Sequence, residues 1–166
     1  MKARKLLSIL FCYTLLQTLI ASTAFAKDAP IYIEANHMTS TENTNTVFFE
    51  GDVDAKQDDV RIRSNKMTVF YSKASKGEKS QQVKKIICTG NTEVTRGEWL
   101  GTGQRMVYTT KDKKIVLTGN AKAWQNQNMV SGETITYFLD QKRSEVVGTP
   151  QKNKKPSRVN MTIIQN

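Results

Sequence analysis

Ile115-Val116-Leu117-Thr118-Gly119-Asn120-Ala121-Lys122-Ala123 places an apolar residue at every second position on both sides of a Gly-Asn pair. Side chains on a strand alternate between faces, so this stretch predicts a strand with one apolar face. A glycine inside such a pattern marks a bulge, a bend or a close backbone approach. The form recurs. Phe49-Glu50-Gly51-Asp52-Val53 and Cys88-Thr89-Gly90-Asn91-Thr92 repeat it, and Val146-Val147-Gly148-Thr149 is a degenerate fourth copy. Gly90, Gly119 and Gly148 are 29 residues apart, and Gly51 precedes Gly90 by 39. The later halves of the units keep the same offsets: Met67-Thr68-Val69-Phe70-Tyr71 aligns with Met106-Val107-Tyr108-Thr109-Thr110 and with Ile135-Thr136-Tyr137-Phe138-Leu139. The ten extra residues of the first unit fall in Ser72–Lys85, a Lys/Ser/Gln-rich stretch that reads as an exposed loop. A fixed period with β-branched and aromatic segments predicts an all-β repeat scaffold. Each unit is expected to hold three to four short strands, all bending at the same height in a stack.

The alternation assigns faces. Phe49, Cys88, Leu117 and Val146 lie two residues before their glycines. Val53, Ala55, Thr92, Val94, Ala121 and Ala123 follow on the same side, as do Met67, Val69, Tyr71, Met106, Tyr108, Ile135, Tyr137 and Leu139. The opposite face carries Glu50, Thr89, Thr118, Lys122 and Thr136, with Phe48, Phe70 and Phe138 as apolar exceptions. Stacked units would enclose a continuous apolar lining. It reads either as a closed core or as an open trough that holds a lipid, and the residues alone leave the two open.

Residues 1–26 read as a cleavable signal peptide. Lys2, Arg4 and Lys5 form a basic start, Leu6 to Ile20 is apolar, and Ala24-Phe25-Ala26 offers a cleavage site. The apolar run is shorter than the roughly 20 residues that span a bilayer. Phe11 before Cys12 argues against a lipoprotein signal. Cleavage would turn a chain of 166 residues at net charge +10 into one exported domain, 27–166, of 140 residues at +7. That domain has one cysteine, Cys88, expected to be a buried apolar residue, and one histidine, His37, expected in a surface loop. A catalytic triad, a zinc site and a phosphate-cradling glycine loop all lack their residues. No enzyme chemistry, metal or cofactor is therefore expected.

The segments Ile31-Tyr32-Ile33-Glu34-Ala35, Phe48-Phe49-Glu50-Gly51-Asp52-Val53, Ile115-Val116-Leu117-Thr118-Gly119-Asn120-Ala121 and Val130-Ser131-Gly132-Glu133-Thr134-Ile135-Thr136-Tyr137 together resemble the OstA-like (LptA) family of periplasmic lipopolysaccharide transport proteins. The resemblance runs from about Ala29 to Ile164. It implies a slightly open β-jellyroll of short antiparallel strands with an apolar interior groove. It also implies a bridge that takes lipopolysaccharide, by its lipid A moiety, from an inner-membrane export component to an outer-membrane translocon, each bearing similar jellyroll domains. By matching positions Ile31 and Ile33 would line the N-terminal mouth, and Phe49, Leu117, Ile135 and Tyr137 the interior. Val47, Val53, Met67, Val69, Met106 and Tyr108 would complete the groove. Arg61, Arg63, Lys66 and Arg105 could form a basic rim for a phosphorylated head group, although each taken singly reads more readily as a plain solvated charge. Ile31, Tyr32 and Ile33 at one terminus, and Val159, Met161 and Ile163 at the other, read as unpaired edge strands suited to head-to-tail strand addition.

Competing classes fit less well. Scattered basic residues without a stacking cluster disfavour nucleic-acid binding, and Lys152-Asn153-Lys154-Lys155-Pro156 reads as a loop. A structural β-solenoid would show shorter, more uniform repeats. An exported hydrolase is disfavoured because a single histidine, without clustered acids, falls short of a catalytic triad. A domain of a related lipopolysaccharide-transport component remains the nearest alternative.

Overall fold

The alternation around Gly119-Asn120 is realised as one long, bent strand, and the same bend recurs across the molecule. The computed structural model describes residues 29–72, 82–148 and 158–164. Residues 1–26, read above as a signal peptide, most of the polar insertion and the Lys152–Pro156 stretch lie outside the described residues. The elements are β1 (Tyr32–Glu34), β2 (His37–Thr41), a 3-10 turn (Glu42–Thr44), β3 (Thr46–Gln57), β4 (Val60–Tyr71) and β5 (Val83–Arg96). They continue with β6 (Trp99–Thr109), β7 (Lys114–Gln125), β8 (Asn128–Phe138), β9 (Arg143–Val147) and β10 (Asn160–Thr162). All pairings are antiparallel, in the order β1-β3-β4-β5-β6-β7-β8-β10, with β2 also on β3 and β9 also on β8.

Each repeat unit thus holds two strands of 11 to 14 residues rather than three to four short ones. The Gly-Asx pair bends a strand without ending it. In β7 the pairing with β8 passes from Thr118↔Thr134 to Ala121↔Gly132, so Gly119 and Asn120 together oppose one residue, Glu133. Gly51-Asp52 and Gly90-Asn91 make the same bulge against Asn65. Both members of each pair are left-handed: Gly119 has φ +78 and Asn120 +52. Asn and Asp enter that region more readily than other side-chain-bearing residues, which is why the motif reads Gly-Asn or Gly-Asp. The glycine has a second reason. A Cβ on Gly119 would lie 2.8 Å from Cβ of Gln104, and one on Gly90 would lie 2.9 Å from the Asn65 amide nitrogen.

The bulges line up, and the sheet folds over along them. One half contains 46–50, 66–70, 105–109, 114–118, 134–138 and the first part of β5, with β2 and β9 at its edges. The other contains 53–57, 60–64, 92–96, 99–102, 121–125 and 128–132, with β1 and β10 at its edges. Away from the crease the repeat is kept just as closely. The hairpin tips carry left-handed Asp58, Gly97 and Asn126. The opposite ends are tied by Tyr71 N–H to Asn45 O, Thr110 N–H to Lys84 O and Leu139 N–H to Lys113 O, at 2.9, 3.1 and 2.9 Å. The polar insertion is narrower than Ser72–Lys85, because β5 already begins at Val83 and the bond from Ser72 N–H to Gln82 O closes the base. His37 opens the exposed strand β2 instead of lying in a loop.

The halves pack by size. Nearest the crease, one half presents the cross-strand row Phe49, Met67, Cys88, Met106, Leu117 and Ile135, and next to it Val47, Val69, Ile86, Tyr108, Ile115 and Tyr137. Against these the other half sets small residues. Val53, Ser64, Thr92, Gly103, Ala121 and Gly132 lie next to the crease, then Ala55, Ile62, Val94, Gly101, Ala123 and Val130. Large side chains fill the space that small ones leave. A Cβ on Gly101 would sit 2.3 Å from the Trp99 ring and 2.6 Å from a Leu117 methyl. Cys88 is fully buried, and burial pushes its thiol up to about 12, opposed only by a hydrogen bond with Ser64.

Two outcomes follow. Gly119→Ala should cost about 1 kcal/mol for the left-handed backbone and roughly 1–3 kcal/mol more for overpacking. Gly97→Ala, with φ +55 and open space around it, should show only the first cost; urea unfolding measures both. Cys88 in the native protein should react with iodoacetamide at pH 8 about a hundredfold or more slower than in denaturant. Equal rates would place the thiol outside the core.

Candidate functional site: an apolar cleft along the seam and two open ends

The residues expected to line a groove divide into two sets. Val53, Met67, Val69, Met106, Leu117 and Ile135 are at most 1% exposed and form the packed core beside the crease, with Tyr137 close behind. Ile31, Ile33, Val47, Phe49 and Tyr108 are partly buried. Space remains where the halves diverge. A mainly apolar recess of about 60 Å³ is lined by Ile31, Ala55, Val60, Ile62, Ile86, Tyr108, Ile115 and Leu139, together with Lys56 and Gln57. It opens into a cleft of about 700 Å³ that shares Ile31, Gln57, Val60, Tyr108 and Leu139 and adds Asp58, Asp59, Arg96, Lys113 and Asp140. The interior is therefore a core at the crease and a cleft at the lip.

The lip row of the small-residue half runs Gln57, Val60, Arg96, Trp99, Gln125 and Asn128. Two of these reach across the seam. Trp99 stacks on Tyr137 with ring centroids 4.5 Å apart. Arg96 donates from Nε to the Asp59 carboxylate and from Nη1 to the Leu139 carbonyl, both at 2.9 Å. The Asp59 hydrogen bond raises the pKa of Arg96 further, and Tyr137 acts in the same direction. The sequence reading passed over Arg96 and Trp99 although their alternation with Val94 and Gly101 places them on the inward face.

The four basic residues expected at a rim sit elsewhere. Arg61, Arg63, Lys66 and Arg105 alternate with inward Ile62, Ser64, Met67 and Met106, so they fall on the outward faces and none lines the cleft. Three are tied to carboxylates of neighbouring strands: Arg61 to Asp54, Arg63 to Glu93, and Lys66 to Glu50 at 2.7 Å. Arg61 holds the Asp54 carboxyl below its ordinary range, and Lys66 does so for Glu50.

At each end two short strands pair with the two halves of one long strand. β1 and β2 flank Asn36, whose N–H bonds Gly51 O at 2.9 Å and whose side chain packs on Gly51 as Asn65 does on Gly90. β9 and β10 pair with the two halves of β8. Among the described residues each end strand is paired along one edge alone. Apolar side chains are exposed there: Tyr32 at 69% and Met38 at one end, and Met161 at 62%, Val159, Ile163 and Ile164 at the other.

Among the described residues no group of His, Cys, Asp and Glu is placed to hold a metal ion, and no helix is long and apolar enough to cross a membrane. The chain is similar in fold to the crystal structure of LptH, described as the LptA homologous periplasmic component of the conserved lipopolysaccharide transport device from Pseudomonas aeruginosa. The TM-score is 0.71 at 19% identity, covering 82% of this chain and 96% of that one. Comparison with curated protein sequences gives no match. Residues 32–143, from β1 to the first residue of β9, match the family described as LptA/(LptD N-terminal domain) LPS transport protein. With the creased β-sheet and its apolar seam, this match over most of the chain places the protein in the LptA/LptD N-terminal domain family of lipopolysaccharide transport proteins.

Proposed function

We propose that the protein is a periplasmic carrier that holds the lipid A chains of lipopolysaccharide in its seam and passes the molecule between membranes. It receives its cargo from an inner-membrane export component and delivers it to an outer-membrane translocon, without chemistry on the cargo. Residues 1–26 act as the export signal, and 27–166 as the single working domain. The observation that carries this reading is the mainly apolar recess, open to solvent along the seam of a sheet whose two end strands are, among the described residues, paired along one edge alone. Acyl chains gain about 0.8 kcal/mol per methylene on leaving water, so a lipid crossing an aqueous space needs such a lining. Rows next to the crease are filled, so chains enter at Ile31, Ile62, Tyr108 and Leu139 first and reach deeper only as the halves separate.

Strand polarity supports head-to-tail assembly. Along both halves the strands alternate in direction, and β9 and β10 are oppositely directed to the β2 and β1 of a following copy. Both halves can therefore extend by antiparallel addition, which a heterologous contact repeats without closing. Met161 pairs with Val130 and Ile33 with Ala55, so the joint would continue the inward row from one protomer to the next. The same edges would accept similar domains of the export component and translocon.

A photo-crosslinking side chain at Tyr108 or Ile31 should give lipopolysaccharide adducts in cells, and one at Arg61 on the outer face should not. Equal labelling at Tyr108 and Arg61 removes the cargo reading. Light scattering should show mass rising with concentration, and Met161→Asp with Ile163→Asp should hold the protein monomeric. A concentration-independent monomer for the unaltered chain counts against assembly.

A further inference from the structure

Of the thirty residues in the five inward rows described above, Arg96 alone is charged. Charged side chains are rarely placed on apolar linings unless something there uses the charge. Arg96 lines the open cleft and bonds the carbonyl of Leu139, a residue that lines both the cleft and the recess. Its side chain is 23% exposed, and its partners are acceptors: the Asp59 carboxylate, the Leu139 carbonyl and the Tyr137 side chain. Asp59 is 50% exposed and sits on a hairpin tip, so it is an ion-pair partner that water can readily take back. Arginine presents five donors in a planar fork that suits phosphate and carboxylate oxygens.

The geometry points to Arg96 as the head-group contact of the cleft. An amphiphile with a phosphate head places its chain in the recess beside Ile31, Tyr108 and Leu139. Its phosphate takes the place of Asp59 on the guanidinium. The inference rests on the cargo reading above and names the residue that recognises the charge of the cargo. It is not the prediction of net charge alone. The cleft carries Asp58, Asp59 and Asp140 against Arg96 and Lys113, and Lys113 is itself paired with Asp140 at 3.4 Å. A rim with that balance would favour a cationic head, whereas the position of Arg96 favours an anionic one.

The test uses the 27–166 chain carrying Trp124→Phe, which leaves Trp99 as the sole tryptophan, stacked on Tyr137 at the site. Trp99 fluorescence follows titration with dodecyl phosphate, dodecyl maltoside and dodecyltrimethylammonium, each below its micelle concentration. Dodecyl phosphate should bind about tenfold tighter than the maltoside, as expected for a charge-assisted contact, and the ammonium should bind no tighter than the maltoside. Arg96→Gln should make phosphate and maltoside equal, and Arg96→Lys should keep part of the preference. Asp59→Asn should tighten phosphate binding roughly threefold, through the removed competitor, and leave maltoside unchanged; a merely structural ion pair would not give that gain. If Arg96→Gln does not fold, the head-group comparison and Asp59→Asn decide. Equal binding of phosphate and maltoside, a preference for ammonium, or no change in Asp59→Asn overturns the role of Arg96 while leaving the cargo reading in place. Binding of none of the three overturns both.

Discussion

Two consecutive left-handed residues, set side by side in three strands, decide the shape of this protein. A flat antiparallel sheet of this length would have no interior. Gly51-Asp52, Gly90-Asn91 and Gly119-Asn120 crease it along one line, and the two halves then bury each other's inner faces. The crease depends on side chains as well as backbone. Asn36, Asn65 and Gln104 lie against the three glycines closely enough that any larger residue there would collide. Glycine for the close approach and Asn or Asp for the second left-handed position are two separate requirements, met by one dipeptide.

The angle of the fold follows from what fills it. Near the crease the halves are close, and the small-residue half answers with Ser64, Thr92, Gly103, Ala121 and Gly132. Further out the gap widens, and Trp99, Tyr108, Tyr137 and Leu139 take up the room. Beside Ile31 and Tyr108 even these do not close it, and the recess remains. The contrast between full burial of Met67, Met106 and Leu117 and partial burial of Ile31 and Tyr108 is thus a consequence of one wedge-shaped interior. Packing alone does not hold the lip together. Arg96 and the Trp99–Tyr137 stack tie strands from opposite halves, and the tie sits beside the opening.

Much of this was legible in the chain. The 29-residue period, the strand parity and the bend at the glycines are local properties, carried by spacing and residue type. The number of strands per unit was less legible, because a bulge and a turn both show as Gly-Asx, and only the continuing ladder tells them apart. The lip was not legible either. Arg96 meets Leu139, 43 residues away, and no local pattern links a lip residue of one half to a loop of the other. The basic rim shows the opposite case. Arg61 and Arg63 alternate with Ile62 and Ser64, so parity already places them outside, and proximity to strand segments was the weaker guide.

The ends of the described sheet differ from those of an ordinary repeat protein. A solenoid ordinarily finishes in a polar capping unit that protects its last apolar row. Here the first strand of the fold, β1 with β2, has the form of the second strand of a unit, with Asn36 in the place of Asn65 and Gln104. The last, β9 with β10, has the form of a first strand. Each end is half of a repeat, and the halves are complementary: set together they restore one full unit and continue both halves of the crease. The exposed Tyr32 and Met161 would be a liability on a finished surface. In the proposed head-to-tail joint they would be the two sides of one repeat, and the interior rows would run on across it.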